Sequence, residues 1–183
     1  MLETIFWLSS FLIVYSYVIF PLLLNYFALS KSQNTTVFTK HSDDLPEVSI
    51  LLAVYNEEQV IEQKIRSTFD TDYPLSKLRF YIGSDSSTDK TEDIIKKYQL
   101  QYPQLKLEVF PQRTGKAGIV NSLEVLAKSP VLILTDANVF FQKDTIYQLV
   151  KHYKNEAIAL VGGNIINEQL HKSGISVQEK TYL

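Results

Sequence analysis

Residues 131–141 read Val-Leu-Ile-Leu-Thr-Asp-Ala-Asn-Val-Phe-Phe. Four apolar residues in a row form a short strand buried on both faces, the kind that parallel sheets use. The run ends in a carboxylate, Asp136, followed two places on by a carboxamide, Asn138. In open α/β sheets ligands collect beyond the carboxyl ends of the strands, so an acidic residue there is placed to hold a metal ion or meet a ligand. If the backbone stays extended through Ala137, side chains 136 and 138 point to the same side and can share one cation. A strand leading into an ordinary Asp/Asn turn would give the same letters. The rest of the chain has to decide between them.

Working outward, residues 48–54 read as another buried strand, and residues 79–83 and 106–110 as two further strands. Between the runs lie helical patterns. Val60, Ile61, Lys64, Ile65, Thr68 and Phe69 fall on one stripe that ends before Pro74. Asp89 caps a helix carrying Ile94, Ile95 and Tyr98, which Pro103 stops. Gly115 opens a helix with Ile119, Val120, Leu123, Leu126 and Ala127 facing inward, and a further helix from about Asp144 carries Ile146, Leu149, Val150 and Tyr153. Residues 158–161 predict a fifth strand, ended by Gly162 and Gly163. Strand and helix alternating at this spacing mean βαβ units, hence an α/β fold with a mostly parallel sheet and helices on both faces.

The amino-terminal part is different. Residues 4–30 contain no charged side chain, and residues 5–29 are dense in Phe, Leu, Ile, Val and Tyr. That exceeds the roughly 20 apolar residues that cross a bilayer as a helix. A cleavable signal peptide would want a basic start, whereas this one carries Glu3 and no Lys or Arg. Residues 1–30 are therefore expected to be a transmembrane helix. Lys31 and Lys40 follow it while Glu3 precedes it, which puts the remainder in the cytoplasm. Residues 31–45 read as a polar linker, and the domain is expected over residues 46–183.

Composition removes several classes of function. A net charge of −2 with no dense basic run gives no track for nucleic acid. With no cysteine there are neither disulfides nor thiolate metal sites, and His41, His152 and His171 lack ligand spacing for zinc.

Polar groups follow each strand directly: Tyr55-Asn56-Glu57-Glu58, then Ser84-Asp85-Ser86-Ser87-Thr88-Asp89, then Arg113-Thr114-Gly115-Lys116, then Asp136-Ala137-Asn138. A parallel sheet brings all four to one edge. Their chemistry suits a nucleoside diphosphate. Tyr55 offers a flat face for a base, and Asp85 can accept the imide hydrogen of uracil. Lys116, at a helix start, can meet phosphate, and two phosphates beside Asp136 call for a divalent cation between them. A P-loop would need glycine where Phe110 stands and Ser or Thr where Ala117 stands, and no Gly-x-Gly-x-x-Gly follows any strand.

With these segments together, the sequence resembles a membrane-anchored family 2 glycosyltransferase of the GT-A type. The likeness rests on residues 48–58, on Gly83 to Asp89, on Gly115-Lys116-Ala117 with Asn121, and on Thr135-Asp136-Ala137-Asn138. It implies inverting transfer from a nucleotide-diphosphate sugar, a UDP-sugar or related donor, to a saccharide or lipid acceptor, aided by Mg²⁺ or Mn²⁺. Carried over by position, Ala53, Tyr55, Glu57, Asp85, Lys116 and Asp136 are nucleotide-sugar-binding, and Asp136 and Asn138 match the Asp-x-Asp element that contacts metal. Asn138 departs from that element by being neutral. The family's catalytic base and its Gln-x-x-Arg-Trp motif have no counterpart before Leu183, so the base is expected beyond it and residues 46–183 are read as the donor-binding portion of a longer enzyme. The alternative is a non-catalytic, membrane-tethered nucleotide-sugar binding or assembly module.

Overall fold

The computed structural model describes residues 2–29, 34–40 and 42–166. It divides into two compact units, Met1–Thr35 and Thr36–Leu183.

In the first unit, α1 (Leu2–Val14) runs through a π-helical turn at Tyr15–Ile19 into α2 (Phe20–Leu29). The wide turn closes on a hydrogen bond from Phe20 N–H to the Tyr15 carbonyl, immediately before Pro21. Proline brings no N–H and crowds the carbonyl four residues back, and a widened turn is a common way to absorb that. The helix continues past Pro21. From Leu2 to Phe27 it is long and apolar enough to cross a membrane.

The second unit is built on β1 (Val48–Val54), β2 (Leu78–Asp85), β3 (Leu105–Phe110) and β4 (Val131–Thr135), all parallel, in the order β3-β2-β1-β4. Central β1 is apolar almost throughout because both of its faces are covered. Val48, Ile50, Leu52 and Val54 join the main core with α3 (Ile61–Phe69), α4 (Thr91–Gln99) and α6 (Thr145–Val150). Leu51 points the other way, into a smaller cluster with Ile119 and Leu123 of α5 (Gly115–Leu126). Gly83 of β2 lets α5 come close: a Cβ there would sit 2.3 Å from Ile119 Cγ2. That approach sets the start of α5 beside the end of β2.

Two expectations are corrected. Residues 158–161 form no strand; Leu160 is 87 % exposed, and the run pairs with no other strand. An apolar run of four residues is too short to specify a strand without a neighbour to pair with. Leu126, expected to face inward, is exposed near the end of α5, past the last buried contact at Leu123. Chain ahead of β1 also lies against the domain. Tyr147 Oη donates to the Phe38 carbonyl (3.0 Å), Lys77 Nζ to the Leu45 carbonyl (2.7 Å), and Leu45 is buried.

Candidate functional site

The loops after β1 and β2 are stitched to each other. Asn56, in the left-handed region at φ 53°, accepts from Thr88 N–H through Oδ1 (2.8 Å). Glu57 N–H donates to Thr91 Oγ1 (2.8 Å), and Glu58 N–H to Asp89 Oδ2 (3.1 Å). Asp89 also accepts from Thr91 N–H (3.0 Å), so it caps α4 as its position suggested. Ser86, directly after Asp85, is the other non-glycine residue with positive φ, at 62°. Backbone strain of this kind gathers where a fold holds residues for a purpose.

Asp85 stands at the end of β2 with its carboxylate almost fully buried. Oδ1 accepts from Thr114 N–H (2.6 Å), and Oδ2 from Gly115 N–H (3.0 Å) and Arg113 Nε (3.1 Å). The Thr114 hydrogen bond above all, helped by Gly115 and the Arg113 charge, outweighs burial and holds the carboxyl below its usual range. No side chain of the loop itself caps α5. Asp85 does so from the neighbouring strand, a carboxylate against a helix N-terminus.

Arg113 turns its guanidinium onto Tyr55, 3.5 Å from the ring centroid. Thus Tyr55, Arg113 and Asp85 form one group, with the tyrosine otherwise exposed at the rim. One turn further, Lys116 pairs with Asp136, both side chains exposed. Ala53 lies beneath these groups in the apolar layer under α5, and Glu57 is half-buried. Backbone beyond β4 is not extended as the shared-cation reading assumed. Val139 N–H bonds the Asp136 carbonyl (3.2 Å), closing a turn in which Ala137 is buried while Asp136 and Asn138 are exposed.

Beneath that turn is Lys64 of α3, with no exposed surface. Its ammonium donates to Thr135 Oγ1 (2.9 Å) and to the Val139 carbonyl, and lies 3.8 Å from the Phe141 ring centroid. Burial pushes its pKa down to about 7, while the Asp136 charge pulls the other way. Sequence reading placed Lys64 on the apolar stripe without giving it a role. A lysine on such a stripe was the available signal. Arg113 was visible only as a member of a basic loop.

Among the described residues, no three His, Cys, Asp or Glu side chains gather closely enough to hold a metal. Asp136 and Asn138 offer one carboxylate and one amide oxygen. That set suits Mg²⁺ or Mn²⁺ completed by phosphate oxygens and water, not a self-sufficient protein cage.

Residues 49–180 match the family model described as Glycosyl transferase family 2. The chain belongs to that family. It is 29 % identical over 135 residues to the probable glycosyltransferase YdaM of Bacillus subtilis (strain 168), covering 71 % of this chain and 32 % of that protein. Over 119 residues it is 33 % identical to the beta-monoglucosyldiacylglycerol synthase of Nostoc sp. (strain PCC 7120), covering 64 % and 25 %. Its fold resembles that of the mannosyltransferase PcManGT from Pyrobaculum calidifontis, solved in complex with GDP-Man and Mn²⁺, with TM-score 0.62, 27 % identity, and coverage of 76 % of this chain and 41 % of that one. This family 2 chain thus spans a third or less of the length of these two curated relatives.

Proposed function

We propose that these residues form the donor-binding part of an inverting glycosyltransferase that uses a nucleotide-diphosphate sugar, with a UDP-sugar as donor. The carrying observation is the convergence of four strand-end loops: Tyr55, Arg113 and Asp85 form one group, Lys116 and Asp136 form another, and the turn at Thr114–Gly115 joins them. A base would lie against Tyr55 with its N–H groups toward Asp85, and Glu57 would line the ribose side. Asp85 is held by three donors and has at most one lone-pair direction left. Base binding must therefore share Asp85 with the loop or exchange Arg113 from the Tyr55 face.

Lys116 would turn from Asp136 to the diphosphate, a small sacrifice because exposed ion pairs contribute little. That frees Asp136, which with Asn138 would hold Mg²⁺ or Mn²⁺. When bound, the cation offsets charge developing on the departing diphosphate. In the transfer, an acceptor hydroxyl oxygen bonds to the anomeric carbon as the sugar–diphosphate C–O bond breaks and its electron pair leaves with the diphosphate. The hydroxyl proton goes to a carboxylate that we assign to none of the described residues. The acceptor is a saccharide or lipid, a reading supported by the chain's likeness to a beta-monoglucosyldiacylglycerol synthase and a poly-beta-1,6-N-acetyl-D-glucosamine synthase. The apolar helix at the amino terminus would anchor the domain at the cytoplasmic face of a membrane.

Calorimetric titration of UDP, GDP and UDP-sugars, with and without Mn²⁺, tests this reading. Wild type should bind UDP more tightly with Mn²⁺ and favour it over GDP. Asp136→Ala removes the one carboxylate assigned to the cation and should abolish most of the metal-dependent gain, and Asp85→Asn should weaken metal-free UDP binding. Failure of every nucleoside diphosphate to bind would end the proposal.

A further inference from the structure

Burying a lysine ammonium costs several kcal/mol unless hydrogen bonds replace its water, so the place where Lys64 is spent is informative. Its two acceptors, Thr135 Oγ1 and the Val139 carbonyl, stand on either side of residues 136–138. Neither is a carboxylate. The turn between them carries both side chains assigned to the cation, and its own closure is light: Val139 N–H and, at 3.4 Å, Thr135 Oγ1 both donate to the Asp136 carbonyl. Further along α3 and the bend that follows it, Ser67 Oγ accepts from Phe141 N–H (3.4 Å), and Thr71 Oγ1 and Asp72 N–H donate to the Lys143 carbonyl (3.1 and 2.8 Å). The post-β4 chain is tied to this segment turn by turn, and Lys64 is the tie that spans the Asp136–Asn138 turn. α3 also follows directly on the loop that carries Tyr55.

We propose that Lys64 is a positioning residue for the metal-binding turn of the site. By pinning both ends of the turn, its ammonium fixes where the turn presents the Asp136 carboxylate to the cation and phosphate. This inference rests on the donor-site reading above.

The test is the metal-dependent gain in UDP affinity, the ratio of Kd without Mn²⁺ to Kd with it, measured by calorimetry on the full chain. Partners that orient metal ligands from behind are typically worth about 10–100-fold in metal affinity. Lys64→Met fills the same space without the donors and should lower the gain by about tenfold while leaving metal-free UDP binding unchanged, a split that general loosening of the fold would not produce. Thr135→Val removes one acceptor from the opposite side with a residue suited to a strand end, and should lower the gain in the same direction. It decides the matter should Lys64→Met fail to fold. A folded variant of either kind with the wild-type ratio overturns the inference. A wild type that binds UDP with no gain from Mn²⁺ overturns this inference and leaves the donor site standing, whereas a wild type that binds no nucleoside diphosphate ends the donor-site reading and this inference with it.

Discussion

Lys64 also ties the site to pH. Its folded pKa of about 7 lies below the ordinary 10.5, because burial disfavours the ammonium. Below about pH 7 the group is protonated in both folded and unfolded states, and the folded chain bears the full cost. Between about 7 and 10.5 the unfolded chain holds the extra proton, so stability rises with pH through that window. Urea unfolding of wild type and Lys64→Met should therefore show wild type gaining on the variant as pH goes from 6.5 to 9.5; a difference that stays constant across that range would contradict the burial argument. Asp85 gives a slope of the same sign in an acidic window, although here it is the charged form that the fold favours. Its lowered pKa gives stability that is present above the ordinary carboxylate value and lost as pH falls through the folded one. At this scale the sequence was only partly legible. Asp85, Lys116 and Asp136 stood out as charged residues at strand ends, but the donors that hold Asp85 are backbone N–H groups of Thr114 and Gly115, which no side-chain pattern reveals.

At the scale of elements, the contact between α5 and β2 decides where the basic loop sits. Ile119 packs where a side chain on Gly83 would have to be, at 2.3 Å from the Cβ position, and Leu123 and Phe110 close the same space. Gly83→Ala should cost about 1–3 kcal/mol by overpacking. It should also weaken metal-free UDP binding, because pushing α5 off the sheet moves Thr114 and Gly115 away from Asp85. Denaturant unfolding and calorimetry on the one variant check both; a loss of stability with unchanged binding would show that the loop is held independently of the helix. β1 was readable as a continuous apolar run covered on both sides and the helices as 3.6-residue stripes covered on one, whereas β3 and β4 leave Val109 and Leu134 exposed. Residues 158–161 had the letters of a strand and no partner, and pairing is a property of the neighbour that a single run does not contain. The letters of residues 136–139 allowed both an extended arrangement and an Asp/Asn turn; the chain turns there, with Ala137 in the main core, and that core is assembled from residues distant in sequence.

For the whole molecule, two units with different physical demands share one chain. Thr36–Leu183 has a core of its own and buries its apolar strands. The helix from Leu2 to Phe27 has none of its apolar stretch buried and leaves Phe6, Trp7, Leu8, Phe11, Ile13 and Leu22 more than half exposed. In water that surface would be a liability far larger than scattered apolar residues explain. In a bilayer it is the favourable face, with backbone groups paired within the helix and the π-helical turn preceding the proline. The full chain should accordingly sediment with membranes, resist extraction by high salt and be released by detergent, whereas a version lacking residues 2–29 should remain in the soluble fraction and keep metal-dependent UDP binding. Protease added to intact spheroplasts should spare the domain, and protease added to inverted vesicles should cleave it, if Lys31 and Lys40 mark the cytoplasmic side. Retention of the full chain in the soluble fraction without detergent would remove the anchor, and cleavage in intact spheroplasts would reverse its orientation. Neither result would disturb the donor site, because none of the side chains assigned to it belongs to the amino-terminal unit.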